Sequence, residues 1–265
     1  MKKALLIVSF GTSHKETREK TIGEIERFIS RAYPDRELRR AFTSSIIMKV
    51  LKTRDHMHVD NVREAMERLA EDGFKDVLVQ PTHIINGEEY EKMMEQITPF
   101  KNSFDAISVG KALLTSSRDY DEVCKAIMAE VPELDQKKNA DQAAKTALVL
   151  MGHGTGHFSD AAYAALDYRF KALGYENVFV GTVEGYPEVS LVLKQVKDYA
   201  PDEVVLMPLM VVAGDHAVND MAGEQEDSWK VLFKNAGYKV TCILRGIGEF
   251  TGIQKMYLDH TADCE

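Results

Sequence analysis

Ala4-Leu-Leu-Ile-Val-Ser-Phe-Gly-Thr-Ser13 and Ala147-Leu-Val-Leu-Met-Gly-His-Gly-Thr-Gly156 align without a gap, each an apolar run that opens into a Gly-Thr turn. A second pair follows in the same order. Asp76-Val-Leu-Val-Gln-Pro-Thr-His-Ile-Ile-Asn-Gly-Glu-Glu89 aligns with Glu203-Val-Val-Leu-Met-Pro-Leu-Met-Val-Val-Ala-Gly-Asp-His216, matching Pro81 to Pro208 and Gly87 to Gly214. Chance explains one such match between apolar strands, but two in the same order, each with its glycine, mark two related halves. Outward from these anchors, short β-rich apolar runs alternate with longer charged stretches of helical period. That is the pattern of strands joined by crossover helices, and hence of parallel sheets. Strands are expected at 4–9, 36–43, 76–81, 106–109, 147–152, 177–182, 203–209 and 239–244. The stripe Val62, Met66, Leu69 and Ala70, closed by Gly73, predicts a helix with a glycine stop. The fold class is therefore α/β: two similar domains, each a parallel sheet flanked by helices, at residues 1–128 and 129–265, with a polar linker at about 132–145.

Composition narrows the function classes. The 265 residues hold 33 Lys and Arg against 42 Asp and Glu, a net charge of −9, so no basic field exists to hold a nucleic acid. No apolar run approaches the roughly 18 residues of a membrane span. The opening lysines and apolar run pass into charged His14 to Lys20 without a cleavage site, so they read as a first strand, not a signal peptide. Cys124, Cys242 and Cys264 are scattered, odd in number and without CxxC. That fits a reducing cytoplasm and gives neither a zinc ribbon nor a redox pair.

Parallel α/β sheets bind ligands at the carboxyl ends of their strands, so the residues just after each strand carry the functional reading. His153, in Met151-Gly-His-Gly-Thr-Gly-His157, is an imidazole between glycines, open to a bulky ligand; the plainer reading is a Gly-rich turn around a surface histidine. As a phosphate loop it fails, because the spacing is not GxxxxGK[ST]. His216, in Gly214-Asp-His-Ala-Val-Asn-Asp220, competes with a capping role for Asp215 or Asn219. It occupies the place of Glu89 in the other half, as His153 occupies that of Phe10. Glu184 follows the strand ending at Thr182, whereas Glu188 suits a helix entrance. His153, Glu184 and His216 thus fall on one sheet edge. A His, His, carboxylate set suits cobalt, nickel, iron or zinc, whereas calcium or magnesium wants more oxygens.

These residues sit in longer motifs: LLIVSFGTS at Leu5 to Ser13, PDRELRRAFTS at Pro34 to Ser44, HIINGEEYEK at His83 to Lys92, MGHGTGH at Met151 to His157, VEGYPEV at Val183 to Val189, LMPLMVVAGDHAVNDMAG at Leu206 to Gly223, and DSWK at Asp227 to Lys230. With them the chain resembles the class II tetrapyrrole chelatases, related to ferrochelatases, in their anaerobic sirohydrochlorin cobaltochelatase branch. The resemblance implies a bilobal fold with a cleft between its domains. It implies insertion of Co²⁺ into sirohydrochlorin during cobalamin synthesis, with no nucleotide. By motif position it implies His153 as proton acceptor and metal residue, Glu184 and His216 as metal ligands, and Glu89 facing the same cleft, with Ser13 and His83 as further substrate-binding candidates. His83 has Met210 as its counterpart, which favours a packed role. The substrate's eight carboxylates call for compensation by the amides of Gly11 to Ser13 and Gly154 to Gly156, or by Arg39, Arg40, Lys92 or Arg245. No nucleic-acid or membrane partner is implied, a homo-oligomer is compatible, and the expected compartment is the cytoplasm. The competing readings are a chelatase for Fe²⁺ or Ni²⁺ or another tetrapyrrole, a non-catalytic tetrapyrrole or metal carrier, and a nucleotide-binding α/β protein.

Overall fold

A computed structural model describes residues 1–135 and 145–264; most of the expected linker, 136–144, lies outside the described residues. The eight expected strands form, with ends shifted by no more than two residues: β1 (Lys3–Ser9), β2 (Glu37–Phe42), β3 (Asp76–Pro81), β4 (Ala106–Val109), β5 (Thr146–Gly152), β6 (Val178–Thr182), β7 (Glu203–Pro208) and β8 (Lys239–Cys242). Helices α1 (Lys15–Lys20), α2 (Ile22–Ala32), α3 (Ser45–Arg54), α4 (Val62–Glu71), α5 (Glu88–Ile97), α6 (Ser117–Glu130), α7 (Ala161–Ala172), α8 (Val189–Tyr199), α9 (Trp229–Asn235) and α10 (Thr251–Ala262) lie between and after them. Among the described residues no helix is long and apolar enough to cross a membrane.

The strands make two sheets, ordered β2-β1-β3-β4 and β6-β5-β7-β8, with every pairing parallel. The sequence repeat is also a repeat of register: Lys3 stands opposite Asp76 in one sheet, and the aligned Thr146 opposite Glu203 in the other. Ala4 to Val8 and Ala147 to Met151 are fully buried, which is why the central strands read as unbroken apolar runs. α4 follows the expected stripe. Asn61 and Glu64 close a capping box at its start, Val62, Ala65, Met66 and Leu69 are buried, and the chain leaves through Gly73 at φ +77.

By contacts the chain forms two compact units, Met1–Thr115 with Ile253–Glu265, and Ser116–Gly252. The expected division at 128/129 falls within α6. α6 belongs to the second unit, where Arg169 Nη2 of α7 donates to Ser117 O at 3.1 Å and Asp121 Oδ2 at 3.3 Å. Most of α10 belongs to the first, where Tyr257 is fully buried and its hydroxyl donates to Thr82 O at 2.8 Å. Thr261 Oγ1 donates to Gln80 Oε1 at 3.0 Å beside it. The last helix of each sequence half thus closes the unit built from the other half.

In each sheet the chain first steps to one side of its opening strand and then to the other. The switch points therefore lie between β1 and β3 and between β5 and β7, the positions where parallel sheets open a crevice at their carboxyl ends.

Candidate metal centre

The residue after β5 is His153, and the second residue after β6 is Glu184. The ladder continues past the strands, with Val183 N–H donating to Gly152 O at 3.0 Å and Glu184 N–H to His153 O at 2.8 Å. Two side chains far apart in sequence become lateral neighbours by register alone. His216 comes from beyond β7, on a π-helical turn (His216–Met221). Ala217 and Met221 of that turn are buried in the core with Trp229 and Phe233, which leaves His216 at the half-exposed surface.

The three converge. One ligand atom from each of His153, Glu184 and His216 lies within 4.8 Å of the others. The two imidazoles meet edge to face, centroids 4.7 Å apart, and His153 Nδ1 is 3.9 Å from Glu184 Oε2. His153 Nδ1 sits 2.8 Å from Gly154 O, and His216 Nδ1 sits 2.6 Å from Asp220 Oδ2. A carbonyl and a carboxylate only accept, so Nδ1 is the donor in each contact, and in the neutral ring Nε2 is then the atom left to bind a metal. This is how metal-binding histidines are ordinarily oriented.

The family model described as Cobalt chelatase (CbiK) matches residues 3–265. The chain belongs to the cobalt chelatase family. It is 43% identical over 260 residues to the sirohydrochlorin cobaltochelatase of Salmonella typhimurium, covering 98% of this chain and 95% of that one. It is 31% identical over 261 residues to the sirohydrochlorin cobaltochelatase CbiKC of Nitratidesulfovibrio vulgaris, covering 98% and 89%. Two solved structures share the fold: SirB from Bacillus subtilis with Fe3+, at a TM-score of 0.66, 14% identity and coverage of 100% and 96%, and CbiX, described as the terminal enzyme of siroheme biosynthesis in denitrifying bacteria, at 0.59, 15%, 99% and 100%.

The chelatase brings the His153 and Glu184 loops together through close backbone approaches. Gly154 has φ +83, and a Cβ there would stand 2.5 Å from Gly185 N, so only glycine lets the His153 and Glu184 loops touch. Tyr163 of α7 packs over Gly152 and hydrogen-bonds the Gly154 backbone, and burial pushes its phenol up to about 12. The remaining motif residues have local duties. Glu188 is the N-cap of α8, and His157 accepts from Ser159 N–H at 3.3 Å to start a short 3₁₀ turn.

The first unit of the chelatase presents the other candidates at its own sheet edge. His83 is 9% exposed, both its ring nitrogens are without a hydrogen-bond partner among the described residues, and burial lowers its pKa to about 4, opposed by nearby Glu89. Tyr90 meets it edge-on, centroids 6.5 Å apart. Glu89 lies in the first turn of α5, 3.2 Å from Lys92 Nζ. Ser13 is buried, and its carbonyl accepts from Arg54 Nη2 at 2.5 Å.

The expected cations are engaged within the protein: Arg39 with Glu37 and Asp72, Arg40 with Glu26, Lys92 with Glu88 and Glu89, Arg245 with Glu130 and Glu249. A second set of ligand-type side chains, His58, Asp60 and Glu64, is explained by packing. Arg68 Nη2 lies 3.2 Å from both His58 Nε2 and Asp60 Oδ1, and Glu64 serves the α4 cap. Sequence reading missed Asp220 and Tyr163, although the four-residue step from His216 to Asp220 is a helical spacing that brings side chains together.

Proposed function

We propose that this chelatase inserts Co²⁺ into sirohydrochlorin as a step of cobalamin biosynthesis, without a nucleotide. The observation that carries the reading is the convergence of His153, Glu184 and His216 at a sheet switch point, in a chain of the cobalt chelatase family. Three ligands leave coordination positions open for the substrate's nitrogens. None of them is a thiolate, whose soft sulfur would hold the ion against transfer.

Insertion replaces two pyrrole N–H protons by one dication. While His153 Nε2 ligates Co²⁺ its lone pair is occupied. As the ion passes to the macrocycle that lone pair is released and accepts one pyrrole proton, and the carboxylate of Glu184, freed in the same movement, accepts the second. His216, held by Asp220, keeps the ion aligned through the transfer. Positioning the ion against the ring in this way converts a two-body encounter into an oriented one. Both proton acceptors are partly exposed, at 40% for His153 and 58% for Glu184, so water can clear the protons.

Ser13, His83 and Glu89 are assigned to the macrocycle's periphery. His83 supports this best, since a buried imidazole with two unpaired nitrogens is a group that a substrate carboxylate or N–H would satisfy. The cysteines are free thiols, in keeping with a reducing cytoplasm, where we place the enzyme.

The test is the absorbance change of metal insertion with purified protein, sirohydrochlorin and Co²⁺. His153→Ala lowers the rate by roughly 100-fold or more, the scale of a lost proton acceptor. Equal rates with and without protein reject the proposal. Competition among Co²⁺, Ni²⁺ and Fe²⁺ reads the metal preference, which ligand type alone does not set.

A further inference from the structure

Asp160 stands at the N-cap of α7, where a carboxylate ordinarily accepts from the first amides of its own helix, yet its side chain makes no such bond. It turns back instead. Oδ1 accepts from Thr155 N–H at 2.9 Å and Oδ2 from Tyr186 N–H at 2.5 Å. One amide belongs to the loop that carries His153 and the other to the loop that carries Glu184. The Thr155 N–H shares its peptide plane with the Gly154 carbonyl, the group that orients His153 through Nδ1. Fixing that plane from one side therefore fixes the imidazole on the other. The Tyr186 N–H lies two residues beyond Glu184, and a Cβ on Gly185 would stand 2.4 Å from Asp160 Oδ1. The bare backbone at 185 is what allows the carboxylate to reach both loops.

We propose that Asp160 is a positioning residue that ties the two ligand loops together, setting the spacing of His153 and Glu184 and thereby the strength and geometry of metal binding. It acts through the backbone and touches neither metal nor substrate. The proposal rests on reading His153, Glu184 and His216 as the metal site.

The experiment titrates Co²⁺ alone into the full-length wild type, Asp160→Ala, Asp160→Asn, Gly185→Ala and His153→Ala proteins, following the visible cobalt absorption band and, separately, the melting temperature. Asp160→Ala raises the Kd for Co²⁺ about 10–100-fold, the range for lost partners of metal ligands, and shifts the band, since the ligand set is intact but differently spread. Asp160→Asn, with one acceptor oxygen for two amides, falls between Ala and wild type. Gly185→Ala leaves Asp160 present but crowds its carboxylate and weakens binding likewise, so the idea remains testable should Asp160→Ala fail to fold. Unchanged Kd and band in the Asp160 variants, with or without a lower melting temperature, overturn the strap if His153→Ala still abolishes binding. Wild-type uptake by His153→Ala instead overturns the metal reading beneath it.

Discussion

The contact between His216 Nδ1 and Asp220 Oδ2 at 2.6 Å selects a tautomer and aims a ring in one step. Removing it should leave a histidine that still binds metal but less well, and Asp220→Ala is expected to weaken Co²⁺ binding by about 10–100-fold in an absorbance titration. A smaller loss than for His216→Ala distinguishes a supporting group from a ligand. His83 gives a different kind of prediction. Burial holds it at about 4 in the folded protein, against about 6.5 in an unfolded chain. Between those values the unfolded chain binds a proton that the native state refuses, so stability is complete above the upper value and falls as pH drops toward the lower one. The shift corresponds to about 3 kcal/mol. His83→Gln should flatten the difference between urea unfolding at pH 7 and at pH 4.5, and an undiminished slope would assign the acid sensitivity to another group. At this scale the convergence of the three candidate ligands could be proposed from sequence because each member follows a strand tip and two of them replace different residues in the repeat. Asp160 was not, since its partners are backbone amides of loops brought near only by the fold.

Helix α10 makes the corresponding case for elements. Ile253, Tyr257 and Thr261 are buried, but the sequence of a helix does not say what its buried face packs against. The strands were legible to within two residues because a parallel strand covered on both sides must be apolar throughout. The repeat carried only the expectation that the two halves match, while strand order and register came from the structure. The partner of α10 was not legible, because the Tyr257 hydroxyl and the Thr82 carbonyl carry no mark of each other in sequence. Tyr257→Phe keeps the ring and deletes the donor at a fully buried position, so it should destabilise by about 1–2 kcal/mol in urea unfolding. No loss would mean that the Thr82 carbonyl finds another donor and that the hydroxyl does not help anchor the helix.

For the whole molecule, the exchange of terminal helices decides where the chain can be cut. All three proposed metal ligands lie in Ser116–Gly252, a continuous stretch that includes α6 and excludes most of α10. A fragment 116–252 keeps its own packing and should fold alone, giving a helical circular dichroism spectrum and a cooperative melt. It should also bind Co²⁺ with the absorption band of the full chain, because ligands, supporting carboxylates and loops all remain. A fragment 129–265, the cut suggested by the sequence halves, loses the α6 surface and carries Ile253, Met256 and Tyr257 with nothing to cover them. Exposed apolar faces of that kind drive association, so it should aggregate or melt without cooperativity. If 129–265 proves the better-behaved fragment, α6 and α10 close the sequence halves in which they lie. If 116–252 folds yet fails to bind Co²⁺, the three side chains need the first unit to form a site, and the metal edge is not the property of one unit.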